Sequence, residues 1–253
     1  MRRLARALPP ALLLVAVLAG WELYVTGAGV SSLVVPSPSR IAAAIAANHA
    51  DLAHHALVTI MEAFLGFALG NLVAIGCAVA FTYSGLLRAG AYPLVLALQA
   101  VPLVAIAPIL VLWLGPGVPS KVLLAAFLAY TVTLVNLVRG LASAEAATLE
   151  LLHTLNASRR QELVHVRFPA ALPYLFTGLK LGASAAIVAA IAAEYIGALQ
   201  GLGYLIHDTR ARLDNEYLWA AVVVAAVIGL ASFGLVVLAE RWAMPWRRGL
   251  EET

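Results

Sequence analysis

Six long apolar runs dominate the chain: 11–28, 57–82, 92–114, 122–143, 174–198 and 217–239. A helix needs roughly 20 apolar residues to cross a bilayer core of about 30 Å, and each run is near or above that length. None alternates apolar with polar residues, and all exceed the roughly 9–11 residues of a membrane barrel strand. Composition agrees, with 63% hydrophobic and 11% charged residues, against roughly 45–50% and about 25% in soluble domains. A water-soluble enzyme, a disordered chain and a disulfide scaffold are excluded, the last because Cys77 is the single cysteine. The expected fold is all-α, a polytopic membrane protein with six transmembrane helices in one domain over 1–253. The first run follows three arginines and reads as an uncleaved span, not a signal peptide, because no small-x-small cleavage site leads into soluble sequence.

Basic residues set the expected orientation. With the N-terminus in the cytoplasm, that side holds Arg2, Arg3, Arg6, Arg88, Arg139, Arg159, Arg160, Arg167, Arg241, Arg247 and Arg248. The outer side holds Arg40, Lys121, Arg210 and Arg212, and Lys180 falls inside a span. Six spans return the C-terminus to the cytoplasm, where Trp242 and Trp246 can anchor at the interface. The net charge of +3, with two lysines, suggests contact with lipid and offers no nucleic-acid groove.

Between spans, Pro38 and Ser39 suit the start of a helix in the outer segment 29–56. The longest polar interruption, 144–172, is helical in pattern. Pro169 and Pro173 are expected to bound it and to set the entry angle of the fifth span. Within the third span, Pro102 and Pro108 each remove a helical hydrogen bond, so a kink is expected around Gln99–Pro102.

No catalytic set emerges: there is no Gly-x-Ser-x-Gly elbow and no phosphate loop. His49, Asp51, His54 and His55 cluster on the outer segment, but their spacing matches no metal motif and reads as a solvated helix. Two Gly-x-x-x-Gly pairs, Gly66/Gly70 and Gly178/Gly182, allow close approach of helices in lipid, either within the chain or between subunits. Charges at membrane depth normally face protein or water. Glu62 and Glu194 are therefore candidates to line a pathway or to pair internally, and Gln99 and Asn136 could contact a pathway or bridge helices.

The segment from Leu149 through Glu150-Leu151-Leu152 and Asn156-Ala157-Ser158 to Val166-Arg167-Phe168-Pro169-Ala170-Ala171-Leu172-Pro173 resembles the cytoplasmic loop of binding-protein-dependent ABC importer permeases. Their pattern is Glu-Ala-Ala, three residues, Gly, about nine more, then an apolar residue, Leu and Pro. Glu150 falls on the Glu and Asn156 on the Gly, while Glu145-Ala146-Ala147 is out of register. Leu151-Leu152 replace Ala-Ala. Asn replaces Gly, and it is the best substitute at positive φ, so the turn is expected to persist. Leu65-Gly66-Phe67, Trp113-Leu114-Gly115 and Ala193-Glu194-Tyr195-Ile196-Gly197 occur in the order seen in permeases of the nitrate/sulfonate/taurine type.

The resemblance implies a type I importer permease fold and a plasma-membrane location. It implies a second permease copy, an extracytoplasmic solute-binding protein and ABC ATPase subunits. ATP and Mg would sit on the ATPase, leaving this chain without a cofactor and without enzymatic activity. A short coupling helix around Glu150–Ser158 would dock in the ATPase and pass on its closure. The stretches Thr59–Ala63 and Gln99–Pro102 look closer to vitamin or pyrimidine-precursor permeases than to sulfonate ones, and an acidic Glu62 in a pathway would disfavour an anion. The alternative class is an ion-driven carrier using Glu62 and Glu194.

Overall fold

Helix α6 (Val118–Ala142) is the axis of the molecule in the computed structural model, which describes residues 2–245, with side chains from residue 9 onward. In α6, 61% of the most apolar stretch is buried, against 6% in α1 (Arg2–Gly27) and α11 (Asn215–Ala243). Two long helices clasp it: α3 (His49–Tyr83) on one side and α9 (Phe168–Gly197) on the other. Arg247, Arg248 and Trp246, and the side chains of Arg2, Arg3 and Arg6, lie outside the described residues.

The clasp is made by small residues. A Cβ on Gly66 would fall 2.4 Å from Ala125 Cβ, and one on Gly70 would fall 2.3 Å from the carbonyl oxygen of Ala126. On the other side, Gly178 and Gly182 face Thr133 and Ala129 of the same helix. Both Gly-x-x-x-Gly pairs are thus spent on contacts within the chain. In lipid, where apolar side chains gain little by leaving the solvent, such close packing is what holds helices together.

The remaining elements follow the apolar runs with four differences. First, α3 begins eight residues before the expected run, because nothing between His49 and Leu57 breaks a helix. Second, the third span is not merely kinked. It is split into α4 (Gly85–Leu98) and α5 (Leu103–Leu114), bent by 100°. Pro102 caps α5 in an extended conformation, and Val101 before it is disfavoured from helix by the proline ring. Third, α9 starts at Phe168, so Pro169 and Pro173 lie in its opening turns and do not precede them. A π-turn over 163–167, closed by the Phe168 N–H on the Leu163 carbonyl, leads into this proline-bearing start. Fourth, the stretch between the fifth and sixth runs, to which the sequence assigned no element, contains helix α10 (Leu202–Ala211).

The short elements collect at the two ends of the bundle. One end carries α2 (Pro38–Ala47) and α10. Helix α2 starts at Pro38 with Ser37 as its cap, and Trp21 of α1 meets Trp219 of α11 edge-on at 5.5 Å. The opposite end carries α7 (Ala146–Thr154) and α8 (Arg159–Glu162). Lys180 on α9 pairs with Glu240 on α11 at 2.8 Å, so this intramembrane charge is matched by a neighbouring helix.

Replacing Gly70 by Ala should cost about 1–3 kcal/mol, since the new methyl group meets backbone that cannot swing aside. Gly76, on the same helix with nothing near its missing Cβ, is the control. Thermal unfolding in detergent should fall for Gly70→Ala and hold for Gly76→Ala.

Candidate functional site

At the α7 end, the polar stretch folds as a helix, a tight turn and a second short helix. Helix α7 ends at Thr154, four residues short of the expected Ser158. Asn156 then adopts φ 52°. Its N–H donates to the His153 carbonyl at 3.0 Å, and the Ala157 N–H donates to the Leu152 carbonyl at 3.0 Å. These two bonds close the end of α7 with a residue in the left-handed region, the role usually taken by glycine. Asparagine keeps the turn, as anticipated. Ser158 starts α8: its Oγ accepts from the Gln161 N–H, and the Gln161 side chain accepts from the Ser158 N–H at 2.8 Å.

No residue of α7 is buried. Glu150 and Leu151 are exposed, Leu152 is half-buried, and Leu155 just past the helix is 68% exposed. Leu151 and Leu155, four apart, leave an apolar stripe uncovered by this chain. The loop is tethered from beneath. Arg159 donates to the Tyr83 carbonyl at the end of α3, and Arg167 joins Glu162 at 2.5 Å and the Leu141 carbonyl at 3.1 Å.

The opposite end holds a buried polar cluster. His55, Thr59 and Glu62 recur on one face of α3, and the first three N–H groups around the start of α10 meet that face and α9. Gly201 N–H donates to His55 Nδ1 at 3.0 Å, Leu202 N–H to Thr59 Oγ1 at 2.9 Å, and Gly203 N–H to Glu194 Oε2 at 2.7 Å. These donors have no partners inside their own helix, so side chains from two other helices satisfy them. Gly201, at φ 104°, leaves room for the Glu194 carboxyl, which a Cβ there would strike at 2.2 Å.

Glu62 and Glu194 are brought within hydrogen-bonding reach of each other, both almost fully buried. Lys121 lies near both, and its ammonium bonds backbone carbonyls and neither carboxyl. The sequence assigned Lys121 to the outer side of the membrane and gave no sign of its burial. It is 1% exposed in the first turn of α6, bonded to the carbonyls of Pro116, Gly117 at 3.0 Å and Gly197 at 3.3 Å. His55 likewise leaves the solvated group: its other ring nitrogen lies 3.6 Å from Asp51, which also accepts from the Tyr217 hydroxyl of α11. A signal for this cluster exists in the sequence, since residues 55, 59 and 62 recur at helical spacing.

Of the four pathway candidates, Glu62 and Glu194 meet each other and are sealed by neighbouring helices. Asn136 is half-buried beside Gly178 and donates to Val132 of its own helix at 2.8 Å. Gln99 is exposed at the α4–α5 break and donates to the Thr131 carbonyl of α6 at 3.1 Å. The inference of cargo charge from Glu62 therefore loses its basis, because that carboxyl faces a helix.

The fold combines a broken third span, a central helix clasped by two others, and a polar stretch of short helices between α6 and α9. Residues 70–244 match the family described as the inner membrane component of binding-protein-dependent transport systems. The chain belongs to this family. It is 32% identical to a probable ABC transporter permease of Haemophilus influenzae, over 90% of this chain and 93% of that one. It is 33% identical to the riboflavin transport system permease RibX of Chloroflexus aurantiacus, over 96% and 90%. The aliphatic sulfonates permease SsuC of Bacillus subtilis is 30% identical, over 93% and 86%. Among solved structures, an amino acid ABC transporter shares the fold with a TM-score of 0.61 at 17% identity, covering 74% of this chain and 91% of that one.

The protein is thus a multi-pass inner-membrane permease subunit of an ABC importer and not an enzyme. The family implies a separate ATPase and a solute-binding protein as partners.

Lys121→Met should leave three buried carbonyls without their donor and remove the cation near the two carboxyls, at a cost of about 1–3 kcal/mol. Adding Glu62→Gln should recover part of that loss. Thermal unfolding of the two variants checks this, and equal melting temperatures would refute the coupling.

Proposed function

We propose that α7 and the turn after it, Glu150 to Ser158, form the element through which the ATPase drives this permease. What supports the reading is a helix with no buried residue, a stripe of exposed leucines, and a well-closed end at Asn156. A docking element needs an apolar face left free by its own chain and a fixed shape on arrival. Glu150, Leu151 and Leu152 would contact the ATPase, while Asn156, Ala157 and Ser158 hold the angle between α7 and α8. The tethers from Arg159 and Arg167 to the ends of α3 and α6 would carry a movement of α7 into the bundle. ATP binding then favours one of two packings of the same helices, and hydrolysis releases it.

In this reading the α7 end is cytoplasmic, with both termini, and the α10 end faces the binding protein. A second copy of the chain completes the pathway, and Gln99, exposed at the α4–α5 break, is the side chain offered to it. The cargo is proposed to be a vitamin or pyrimidine precursor. That rests on likeness to the riboflavin permease and to the formylaminopyrimidine permease ThiX of Halalkalibacterium halodurans. Binding of riboflavin, formylaminopyrimidine, taurine and alkanesulfonates to the partner binding protein decides the cargo, and tight binding of a sulfonate alone would refute this choice.

Glu150→Arg should abolish uptake and co-purification of the ATPase while membrane insertion stays normal. Normal uptake by this variant would sink the coupling role. Asn156→Gly should transport normally. Asn156→Val should lose about 1–2 kcal/mol of local order at positive φ, seen as faster hydrogen exchange across α7 and reduced ATPase coupling.

A further inference from the structure

The polar cluster at the α10 end is short of one hydrogen. Glu62 is 3% exposed and Glu194 1% exposed, and their carboxyls lie within hydrogen-bonding reach of each other. Glu62 Oε2 and Glu194 Oε1 are buried, and neither accepts a hydrogen bond from any described residue. A carboxylate carries no hydrogen of its own. Two ionised carboxyls there would repel, and each would keep a bare oxygen away from water.

The neighbouring donors are already engaged. Lys121 Nζ bonds the carbonyls of Pro116, Gly117 and Gly197. Gly203 N–H serves the other oxygen of Glu194, Oε2. The Thr59 hydroxyl donates to the His55 carbonyl at 3.2 Å. His55 accepts from Gly201 N–H at Nδ1, so its ring is neutral, and its one hydrogen is on Nε2, toward Asp51. Asp51, His54 and Asp208 surround His55, and Asp51 also takes the Tyr217 hydroxyl. Among the described residues, Lys121 is the charged side chain beside the carboxyl pair itself. One ammonium balances one carboxylate. The second carboxyl must then be neutral for the buried group to carry no net charge.

We propose that Glu62 and Glu194 together bind a single proton, shared in a hydrogen bond between α3 and α9, and that this proton latches the start of α10. Glu194 is the hub, since it meets Glu62 and also accepts from Gly203 N–H of α10. Losing the proton sets two anions side by side, and their repulsion falls on the bond that holds α10. An unfolded chain would have released such a proton by neutral pH. The folded state thus holds the extra proton, and the latch weakens as pH rises.

Infrared spectroscopy of the full-length permease in bilayers tests this at neutral pH, where a protonated carboxyl absorbs apart from a carboxylate. The wild type should show the band of one protonated carboxyl. Glu62→Gln and Glu194→Gln should each abolish it, because the remaining carboxyl becomes the counter-ion of Lys121 and the glutamine amide donates the bond. Absence of the band in the wild type would overturn the proposal, and so would its survival in either variant. Hydrogen exchange reads the latch itself. After correction for the intrinsic rate, protection of the Leu202 and Gly203 N–H groups should fall about tenfold per pH unit on the alkaline side in the wild type, the slope for release of one proton. It should stay level in Glu62→Gln. Lys121 is present in both proteins, so its own titration cancels. Equal pH profiles for the two would also overturn the proposal.

Discussion

The close approach of α3 and α9 to α6 is the constraint on which the rest depends. Lipid offers helices no hydrophobic reward for leaving it, so they must fit one another closely. Gly66 and Gly70 seat α3 on α6, and Gly178 and Gly182 seat α9 on its other side. With both flanks of α6 taken, α1 and α11 stay at the periphery, where their side chains meet lipid. The break at Gln99–Pro102 lets α5 fold back toward α6 and α9, where Ala107 and Leu110 are buried.

Several charged groups at depth are met by polar groups from other elements, while Asn136 bonds only its own helix. Lys180 meets Glu240, and Lys121 meets three carbonyls and lies near two carboxyls. The start of α10 is bonded by α3 and α9, which fixes the α10 end as firmly as the glycines fix the middle. The α7 end is built differently. It is held by arginines at the rim and keeps its leucines uncovered. One end is bonded across three helices, and the other keeps an apolar stripe exposed.

Much of this was legible in the residues. Hydropathy located the spans, because twenty apolar residues have few other uses. Asn156 was readable as a glycine substitute, since a left-handed turn admits few residue types. The cluster around Lys121 was not. A lysine beside Gly-Pro-Gly-Val-Pro-Ser gives no sign of burial unless the carboxyls are known to converge from α3 and α9. Helix α10 was hidden for a similar reason: it is short and mixed in polarity, and its first N–H groups depend on distant side chains. The broken span was foreseen only as a kink, since prolines announce where a helix bends but not by how much.

The length of α3 has its own consequence. At about 1.5 Å per residue, its 35 residues reach roughly 50 Å, well beyond a hydrocarbon core of about 30 Å. The bundle is therefore taller than the membrane it sits in. The surplus does not dangle, because α2, α10 and the first turns of α3 are bonded into one block. The α10 end is thus one packed unit, with Ile41, Leu52 and Leu205 in a shared cluster. A soluble protein arriving from that side would meet a preformed surface at a fixed height, with no loop ordering left to oppose its landing.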